Sequence, residues 1–251
     1  MADRRKSPLR SEEIEPQMCS VDLRLEILSQ VPFFAGLPTD AITRINELFR
    51  EQGYTAGETI YFAGDPATRL YVVASGKVKL IRHTLGGQDV LLDIMTPGEF
   101  FGSLSALGDD EYSDTAQAQT EACVLGIGSE DFRTILGAYP FITITVLDIM
   151  TQRLKAAHEM VRQLSAHSVE RRIAYTLIKL GQKLGEKREI GLLIQMPLSR
   201  EDLAAMTGTT METASRIMSQ FQKDNLIQSG RQWVAITDRK RLADLAEKDL
   251  D

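Results

Sequence analysis

The segment SREDLAAMTGTTMETASR (residues 199–216) carries the strongest local pattern in the chain. Ser199 is a favoured helix N-cap, and Asp202, three residues later, supplies the carboxylate of a capping-box variant. Gly208 follows one short helix later, where a tight turn needs a positive φ that glycine adopts without steric cost. A second helix is predicted over residues 210–222, so the pair has helix-turn-helix spacing.

The second helix has the composition of a helix that reads DNA bases. Its apolar residues Ile217, Met218 and Phe221 fall on one face, which leaves polar side chains on the other. Arg can pair bidentately with guanine, Glu can accept from cytosine, and hydroxyls near helix N-termini can hold phosphates. The alternative interpretation of Glu212 and Arg216 is an i,i+4 ion pair on a solvated helix. The predicted DNA contacts are Arg200, Thr209, Thr210, Met211, Glu212, Thr213, Ser215 and Arg216.

Segments on both sides extend this unit. Residues 169–184 are predicted to form an apolar helix, GEKREIG (residues 185–191) a turn, and LLIQMPL (residues 192–198) a strand. After the second helix, LIQSGRQWVAIT (residues 226–237) predicts two short strands about a turn at residues 229–230. These strands would add a wing to the helix-turn-helix.

A long periodic segment precedes this unit. Its apolar residues recur at alternating steps of three and four, as in an a/d seam, and no Gly or Pro interrupts residues 141–168. The pattern predicts one long helix with a self-complementary face that pairs two copies of the chain. A helix lying on the core of its own domain is the alternative. The seam residues are Leu147, Met150, Leu154, Ala157, Val161 and Leu164.

The front half of the chain has a different texture. Between Gly53 and Gly128, the apolar runs TIYF, LYVVAS, KVKLI, VLLDI and ACVLGI are separated by glycine turns at intervals of roughly 8–12 residues. This spacing is typical of an antiparallel barrel or roll. Short helices are predicted on both sides of the turn at residues 36–38.

Charge and composition narrow the classes of function. Hydrophobic residues are 43% and charged residues 25% of the 251, which excludes disordered and fibrous proteins. Residues 168–251 hold 14 Lys and Arg against 12 Asp and Glu, a net of +2, whereas residues 1–167 hold 15 against 23, a net of −8. A polyanion would therefore dock on the back third. No run approaches the ~20 apolar residues of a membrane span, and the charged N-terminus lacks the apolar stretch of a signal peptide, so a cytoplasmic location is expected.

No catalytic constellation is present, so the chain is not expected to be an enzyme. There is no Walker loop, nucleophile elbow, HExxH or CxxC pair. A cupin-like enzyme would need clustered His and Glu ligands, which His83 alone does not supply. A ligand-binding module whose C-terminal helices bind a protein partner is the second hypothesis. That module would tolerate apolar residues at Glu212, Ser215 and Arg216, where base readout needs polar ones.

From about Leu28 to Leu245, the chain resembles the CRP/FNR superfamily of bacterial transcription regulators. The resemblance is carried by GETI (residues 57–60), LYVV (70–73), SGKV (75–78), PGEFFG (97–102) and residues 199–216. It implies an α+β fold with an N-terminal antiparallel β jelly roll of the cyclic-nucleotide-binding type, a long dimerisation helix and a C-terminal winged helix-turn-helix. The implied limits are 1–22 for a flexible arm, 23–138 for the sensor domain, 139–167 for the helix and 168–251 for the DNA-binding domain.

The resemblance also implies a function. The expected protein is a homodimeric, sequence-specific DNA-binding regulator, and an activator, with RNA polymerase as a partner through the turn at residues 84–89 and the loop at residues 185–191. ETASR (residues 212–216) is similar to the E-x-x-S-R pattern of the FNR-like branch. Half-sites of the TTGAT/ATCAA kind in an inverted repeat are therefore expected.

The effector is left unidentified by these residues. The family's effector pocket falls on Gly102, Ser103, Asp114 and Thr115, where cyclic-AMP binders carry a Glu and an Arg-Ser pair. Cyclic AMP is therefore not expected, and Cys19 and Cys123 are too few for a four-cysteine iron–sulfur cluster. Residues 114–118 (DTAQA) resemble the nitric-oxide-responsive, haem-type branch, for which His83 and His158 are the candidate ligands. Control by an effector other than cyclic AMP, or by protein abundance, is expected, and no dedicated metal site is predicted.

Overall fold

The computed structural model describes residues 20–84, 89–103, 111–196, 198–230 and 232–247. The described chain divides into two compact units, and the division falls inside a long helix. The first unit ends at Ala156, and the second begins at Ala157. The first nineteen residues of the predicted arm lie outside the described ranges. A helix already begins at Val21, because the Ser20 side chain caps it by accepting from the backbone N–H of Leu23 at 3.2 Å.

The first unit is a roll of two four-stranded antiparallel sheets with helices before and after it. The sheet orders are β1-β8-β3-β6 and β2-β7-β4-β5. This arrangement confirms the predicted antiparallel roll. The elements are α1 (Val21–Gln30), α2 (Thr39–Leu48), β1 (Arg50–Tyr54), β2 (Thr59–Tyr61), β3 (Arg69–Ser75), β4 (Val78–His83), β5 (Asp89–Met95), β6 (Phe100–Gly102), β7 (Thr115–Ala118), β8 (Ala122–Gly128), α3 (Ser129–Ala138) and α4 (Pro140–Ala166).

Successive side chains along the strands of sheet β1-β8-β3-β6 pack into two different cores, one on each face of the sheet. Val73, Phe101 and Val124 face the interior between the sheets, whereas Val72 and Leu125 belong to the core that the helices cover. A sheet covered on both faces needs apolar residues at every position, because successive side chains point to opposite faces. This explains why the two central strands of that sheet, β3 and β8, are unbroken apolar runs rather than alternating ones.

Helix α4 is uninterrupted over 27 residues, as the sequence predicts. Its first turns belong to the first unit, where Ile142 and Val146 are buried against the core that the helices cover. Among the described helices, none alone has the length and hydropathy needed to cross a bilayer, and only the pair α3 and α4, bent by 115°, meets that criterion jointly.

The second unit contains four helices besides the end of α4 and one four-stranded antiparallel sheet of order β11-β12-β10-β9. With the first unit, it confirms the predicted α+β class. Its elements are α5 (Val169–Leu184), β9 (Gly185–Arg188), β10 (Gly191–Gln195), α6 (Arg200–Thr207), α7 (Met211–Lys223), β11 (Ile227–Gly230), β12 (Trp233–Ile236) and α8 (Arg239–Glu247).

Two predicted turns are wrong in position. Residues 185–188 form β9, which pairs with β10, and the hairpin closes at Gly191 with a φ of 119°. Ser229 and Gly230 are paired with Val234 and Trp233 in the wing, so the turn follows Gly230. In both cases cross-strand hydrogen bonding overrides a composition that is typical of turns.

Candidate nucleic-acid interface

Helices α6 and α7 form the predicted helix-turn-helix, and its local signals are confirmed. Ser199 Oγ accepts from the Asp202 N–H at 2.9 Å, and the Asp202 carboxylate accepts from the Ser199 N–H at 2.9 Å, which completes the capping box. Gly208 ends α6 in the left-handed conformation with a φ of 59°. Thr210 then caps α7 by accepting from the Thr213 N–H at 3.2 Å.

The orientation of α7 follows from its apolar face. Ala214, Ile217, Met218 and Phe221 are buried in the second unit. The opposite face presents Met211, which is 58% exposed, together with the exposed side chains of Glu212 and Arg216. Thr209, Thr213 and Ser215 are half-buried beside them.

Glu212 and Arg216 are an acidic and a basic side chain on that exposed face. Among the residues that the structure describes, neither makes an ion pair with the other, although they stand four residues apart on one helix. Two opposite charges that the fold leaves apart are available to a partner at the start of α7. The first turn of a helix adds unsatisfied backbone N–H groups, which attract anions.

Two predicted contacts are placed differently from the sequence expectation. The Arg200 side chain is half-buried and donates from Nη2 to Ser229 Oγ at 2.9 Å, which joins α6 to β11. Burial lowers the pKa of its guanidinium. The Thr210 hydroxyl is engaged by the cap and by Thr213 Oγ1 at 3.0 Å. Both side chains are engaged within the unit, and Thr210 is exposed beside Met211, Glu212 and Arg216. As DNA contacts, these residues stay predictions.

The long helix presents an exposed apolar stripe. Leu154 is 57% exposed, and five of the six predicted seam residues lie at the surface of this chain. Met150 is the exception, because it packs partly against the core that contains Ile142. The sequence analysis missed Ile144, which is 61% exposed and continues the stripe one turn before Leu147. Its position three residues before the first seam residue was the available signal.

The predicted effector-pocket residues meet a cluster of aromatic rings. Gly102 has a φ of 90°, and a methyl group on it would lie 3.1 Å from the Tyr71 ring. Asp114 Oδ1 accepts from the Tyr61 hydroxyl at 3.0 Å. The Thr115 hydroxyl accepts from the Ala63 N–H at 3.1 Å, and the Ser103 N–H donates to a backbone carbonyl at 3.2 Å.

The cluster itself consists of Tyr61, Tyr71, Phe101 and Tyr112, stacked with nearly parallel planes. The centroids of Tyr61 and Tyr112 are 3.8 Å apart at 17°, and those of Tyr71 and Phe101 are 5.3 Å apart at 18°. Burial raises the pKa of Tyr61 and Tyr112 above its usual value. The sequence analysis did not identify this cluster, because its members come from three strands and one connecting segment and are adjacent only in the fold.

The candidate haem ligands lie at the surface. His83 Nδ1 is 2.6 Å from Asp89 Oδ1 and both side chains are more than half exposed, while His158 is exposed on α4. The described part of the chain holds no group of three or more His, Cys, Asp or Glu residues placed to bind a metal ion. Neither imidazole lies in an enclosed apolar pocket of the kind that holds haem, so the exposure of His83 and His158 does not support either of them as its ligand.

RNA polymerase contacts are predicted in the turn at residues 84–89 and in the loop at residues 185–191. Residues 85–88 of the first lie outside the described residues. The second is the exposed β9–β10 hairpin, in which Arg188 and Glu186 form an ion pair at 2.6 Å.

Comparison with known proteins matches both units. Residues 51–139 match the family model of the cyclic nucleotide-binding domain, and residues 171–245 match that of the Crp-like helix-turn-helix domain. The cyclic AMP receptor protein of Thermus thermophilus is 31% identical over 215 residues, which cover 86% of this chain and 96% of that protein. The fumarate and nitrate reduction regulatory protein of Escherichia coli is 25% identical over 201 residues, or 80% of each chain.

A solved structure agrees on the fold. FixK2 from Bradyrhizobium japonicum superposes with a TM-score of 0.71 at 22% identity, over 80% of this chain and 99% of that one. Both units of the chain therefore have counterparts of known structure.

Proposed function

This chain belongs to the CRP/FNR family of transcription regulators, and we propose that it acts as a homodimer that reads an FNR-like inverted repeat in DNA. The observation that carries the proposal is the exposed, unpaired charge of Glu212 and Arg216 at the start of a capped helix-turn-helix. A helix that only packed on a protein partner would tolerate apolar residues there, whereas base readout needs polar ones.

Base readout is assigned to the first two turns of α7. Arg216 can donate two hydrogen bonds to one guanine, Glu212 can accept from a cytosine, and Met211 can contact a thymine methyl group. Ser215 lies beside them, half-buried. These groups suit half-sites of the TTGAT/ATCAA kind. Thr209, Thr213 and the N-terminus of α7 would fix the register by contacting phosphates.

Dimerisation is assigned to α4, with residues 139–167 as the dimerisation segment. The exposed side chains of Leu147, Leu154 and Val161 repeat at seven residues, the period of a coiled-coil seam. A single stripe of this kind on one helix is self-complementary in a two-fold pair. The dimer then places two copies of α7 about 34 Å apart, one helical turn of DNA.

Control is assigned to an effector other than cyclic AMP, or to protein abundance. The Asp114 carboxylate occupies a position where cyclic-AMP binders place a cation, and it is tied to Tyr61. Two negative charges a few ångströms apart repel by about 1 kcal/mol even in water. The Thermus relative carries cyclic AMP in its name, which describes that protein. The likeness of residues 114–118 to the nitric-oxide-responsive branch stays a prediction.

The remaining features of the proposal concern the cellular context. We assign RNA polymerase as a second macromolecular partner, with the β9–β10 hairpin as one exposed contact. The chain would act in the cytoplasm as an activator and without a catalytic activity of its own. The Glu186–Arg188 pair would give that hairpin a defined surface.

The proposal is tested by fluorescence anisotropy with labelled DNA at a fixed salt concentration. One duplex carries TTGAT and ATCAA as an inverted repeat, and the control has the same base composition in scrambled order. Specific binding is expected to exceed scrambled binding by about 10³-fold or more. Equal affinity for the two duplexes would leave the protein-partner hypothesis as the better one.

A further inference from the structure

Leu164, near the end of α4, lies directly against the turn of the helix-turn-helix. A methyl group on Gly208 would stand 3.1 Å from Leu164 Cδ2, closer than ordinary side-chain contacts, and no other described atom outside residues 207–209 lies within 4 Å of it. The Leu164 carbonyl accepts from Arg172 Nη1 at 3.2 Å, so α5 holds the backbone at this point. Both residues belong to the second compact unit.

The contact reaches the segment from which the recognition helix starts. Gly208 ends α6 in the left-handed conformation, and Thr210 caps α7 only two residues later. A side chain that presses on Gly208 therefore fixes the point where α7 begins. Two features favour glycine at position 208. Its φ is positive, and a side chain there would crowd Leu164.

We propose that Leu164 is a positioning residue for DNA recognition, which ties the turn between α6 and α7 to the dimerisation helix and so sets the spacing of the two recognition helices. The inference rests on the proposed function, since spacing has meaning only for a dimer on an inverted repeat. Half-sites are separated by about one helical turn, and one added base pair moves a half-site by about 3.4 Å along the axis. A loosened turn would tolerate such a change.

This role differs from that of an ordinary seam residue. Leu154 lies ten residues earlier on the same helix, where its side chain is 57% exposed. Its truncation should weaken the dimer, and a higher protein concentration should restore binding. Truncation of Leu164 should instead change which DNA is bound by a dimer that is already formed.

The test compares Leu164→Ala with the matched variant Leu154→Ala on three duplexes. One has the optimal half-site spacing, one a base pair more and one a base pair fewer, and sedimentation confirms the dimer at each concentration used. Wild type is expected to prefer the optimal spacing by about tenfold or more. Leu164→Ala should reduce that preference to about twofold, and Leu154→Ala should keep it once the dimer is saturated.

The contrary outcomes are distinct. A dimeric Leu164→Ala protein with the full spacing preference, or one that merely dissociates as Leu154→Ala does, overturns the inference while the proposed function stands. If wild type shows no preference for the inverted repeat over scrambled DNA, the proposed function fails and the inference falls with it.

A second variant tests the contact itself. Gly208→Ala adds the methyl group that would crowd Leu164, and we measure the loss of operator affinity in the wild-type background and together with Leu164→Ala. The loss should be at least about threefold larger in the wild-type background, because the shorter side chain leaves room for the methyl group. Backbone strain at the positive φ is common to both backgrounds and cancels. Equal losses in the two backgrounds contradict the contact.

Discussion

The two compact units treat their polar side chains in opposite ways. In the roll of the first unit, Asp114 and Thr115 are already hydrogen-bonded to Tyr61 and to the backbone beside a stack of aromatic rings. On α7, Glu212 and Arg216 are exposed and left apart by the fold. A polar group that the fold uses contributes to stability, whereas one that it leaves free at a rigid helix terminus is available to a partner. This contrast favours DNA recognition by the second unit. In the first unit, the polar side chains of Asp114 and Thr115 are already used by the fold, so they offer no evident site for an anionic ligand.

The most severe way to abolish DNA binding without unfolding either unit is Leu154→Glu, in the part of α4 that belongs to the first unit. Each copy would bring a carboxylate into an apolar seam, where two like charges stand close together, at a cost of about 3–5 kcal/mol. Operator affinity should fall more than about 100-fold, and sedimentation should show monomers with unchanged circular dichroism. Gln152→Glu, which adds the same charge off the stripe, is the control. A Leu154→Glu dimer would place the interface elsewhere.

A large effect confined to the first unit is expected from Arg24→Met. Arg24 pairs with Glu51 and donates to Asn46 Oδ1 and to the Asn46 and Phe49 carbonyls, which joins α1 to the end of α2 and to β1. Its loss removes the donor to Asn46 Oδ1 and the ion-pair partner of Glu51, while the Asn46 and Phe49 carbonyls keep other donors, and should lower the free energy of unfolding by about 2–3 kcal/mol.

Denaturant unfolding can assign that loss to one unit. Trp233 is the only tryptophan and lies in the second unit, so its fluorescence should not shift with Arg24→Met, while the far-ultraviolet transition should. Arg44→Ala removes an ion pair that is mostly exposed and screened by water, so it serves as the control and should leave both transitions unchanged. A common shift of both probes would mean that the units unfold together.

A smaller effect concerns pH. Arg162 and Gln163 hydrogen-bond the Glu159 carboxylate and hold its pKa at about 2, against a usual value of 4.5. A depressed pKa means that this stabilisation is complete above the usual value and disappears as the pH falls from 4.5 to about 2. Because the pair is partly exposed, Glu159→Gln should remove no more than about 1 kcal/mol of the stability difference between pH 7 and pH 2. An unchanged pH dependence in that variant would remove Glu159 from the account.

For cyclic AMP we expect no binding. Calorimetry should detect no micromolar binding, because the proposal places the Asp114 carboxylate where the cyclic phosphate would lie and like charges repel. Addition of the nucleotide should also leave operator affinity unchanged. Micromolar binding of cyclic AMP would contradict the contrast between the two units, because the first unit would then bind an anionic ligand.

Local signals predicted more of the second unit than of the first. The capping box at Ser199, the left-handed Gly208 and the apolar face of α7 are encoded within a few residues, and all are confirmed. Strand β1 (REQGY) has no apolar pattern and forms only because the edge of β8 pairs with it. Sequence periodicity does not contain the identity of a pairing partner, so β1 and β9 were missed for the same reason.

The site shows the same limit. Exposure of Met211, Glu212 and Arg216 follows from helix periodicity, and was predictable. The inward bond from Arg200 to Ser229 spans 29 residues and depends on how the wing packs, so the sequence indicated only a phosphate contact. The contact of Leu164 with Gly208 likewise joins residues that are distant in the chain.

The measurement that tests base reading by α7 most directly compares Arg216→Ala and Arg200→Ala on operator and on scrambled DNA. Arg216→Ala should lose about 1–3 kcal/mol on the operator, relax the preference at one guanine and leave scrambled binding nearly unchanged. Arg200→Ala should weaken both duplexes similarly, since it supports the frame rather than a base. Equal losses on operator and scrambled DNA for Arg216→Ala would contradict base reading by α7.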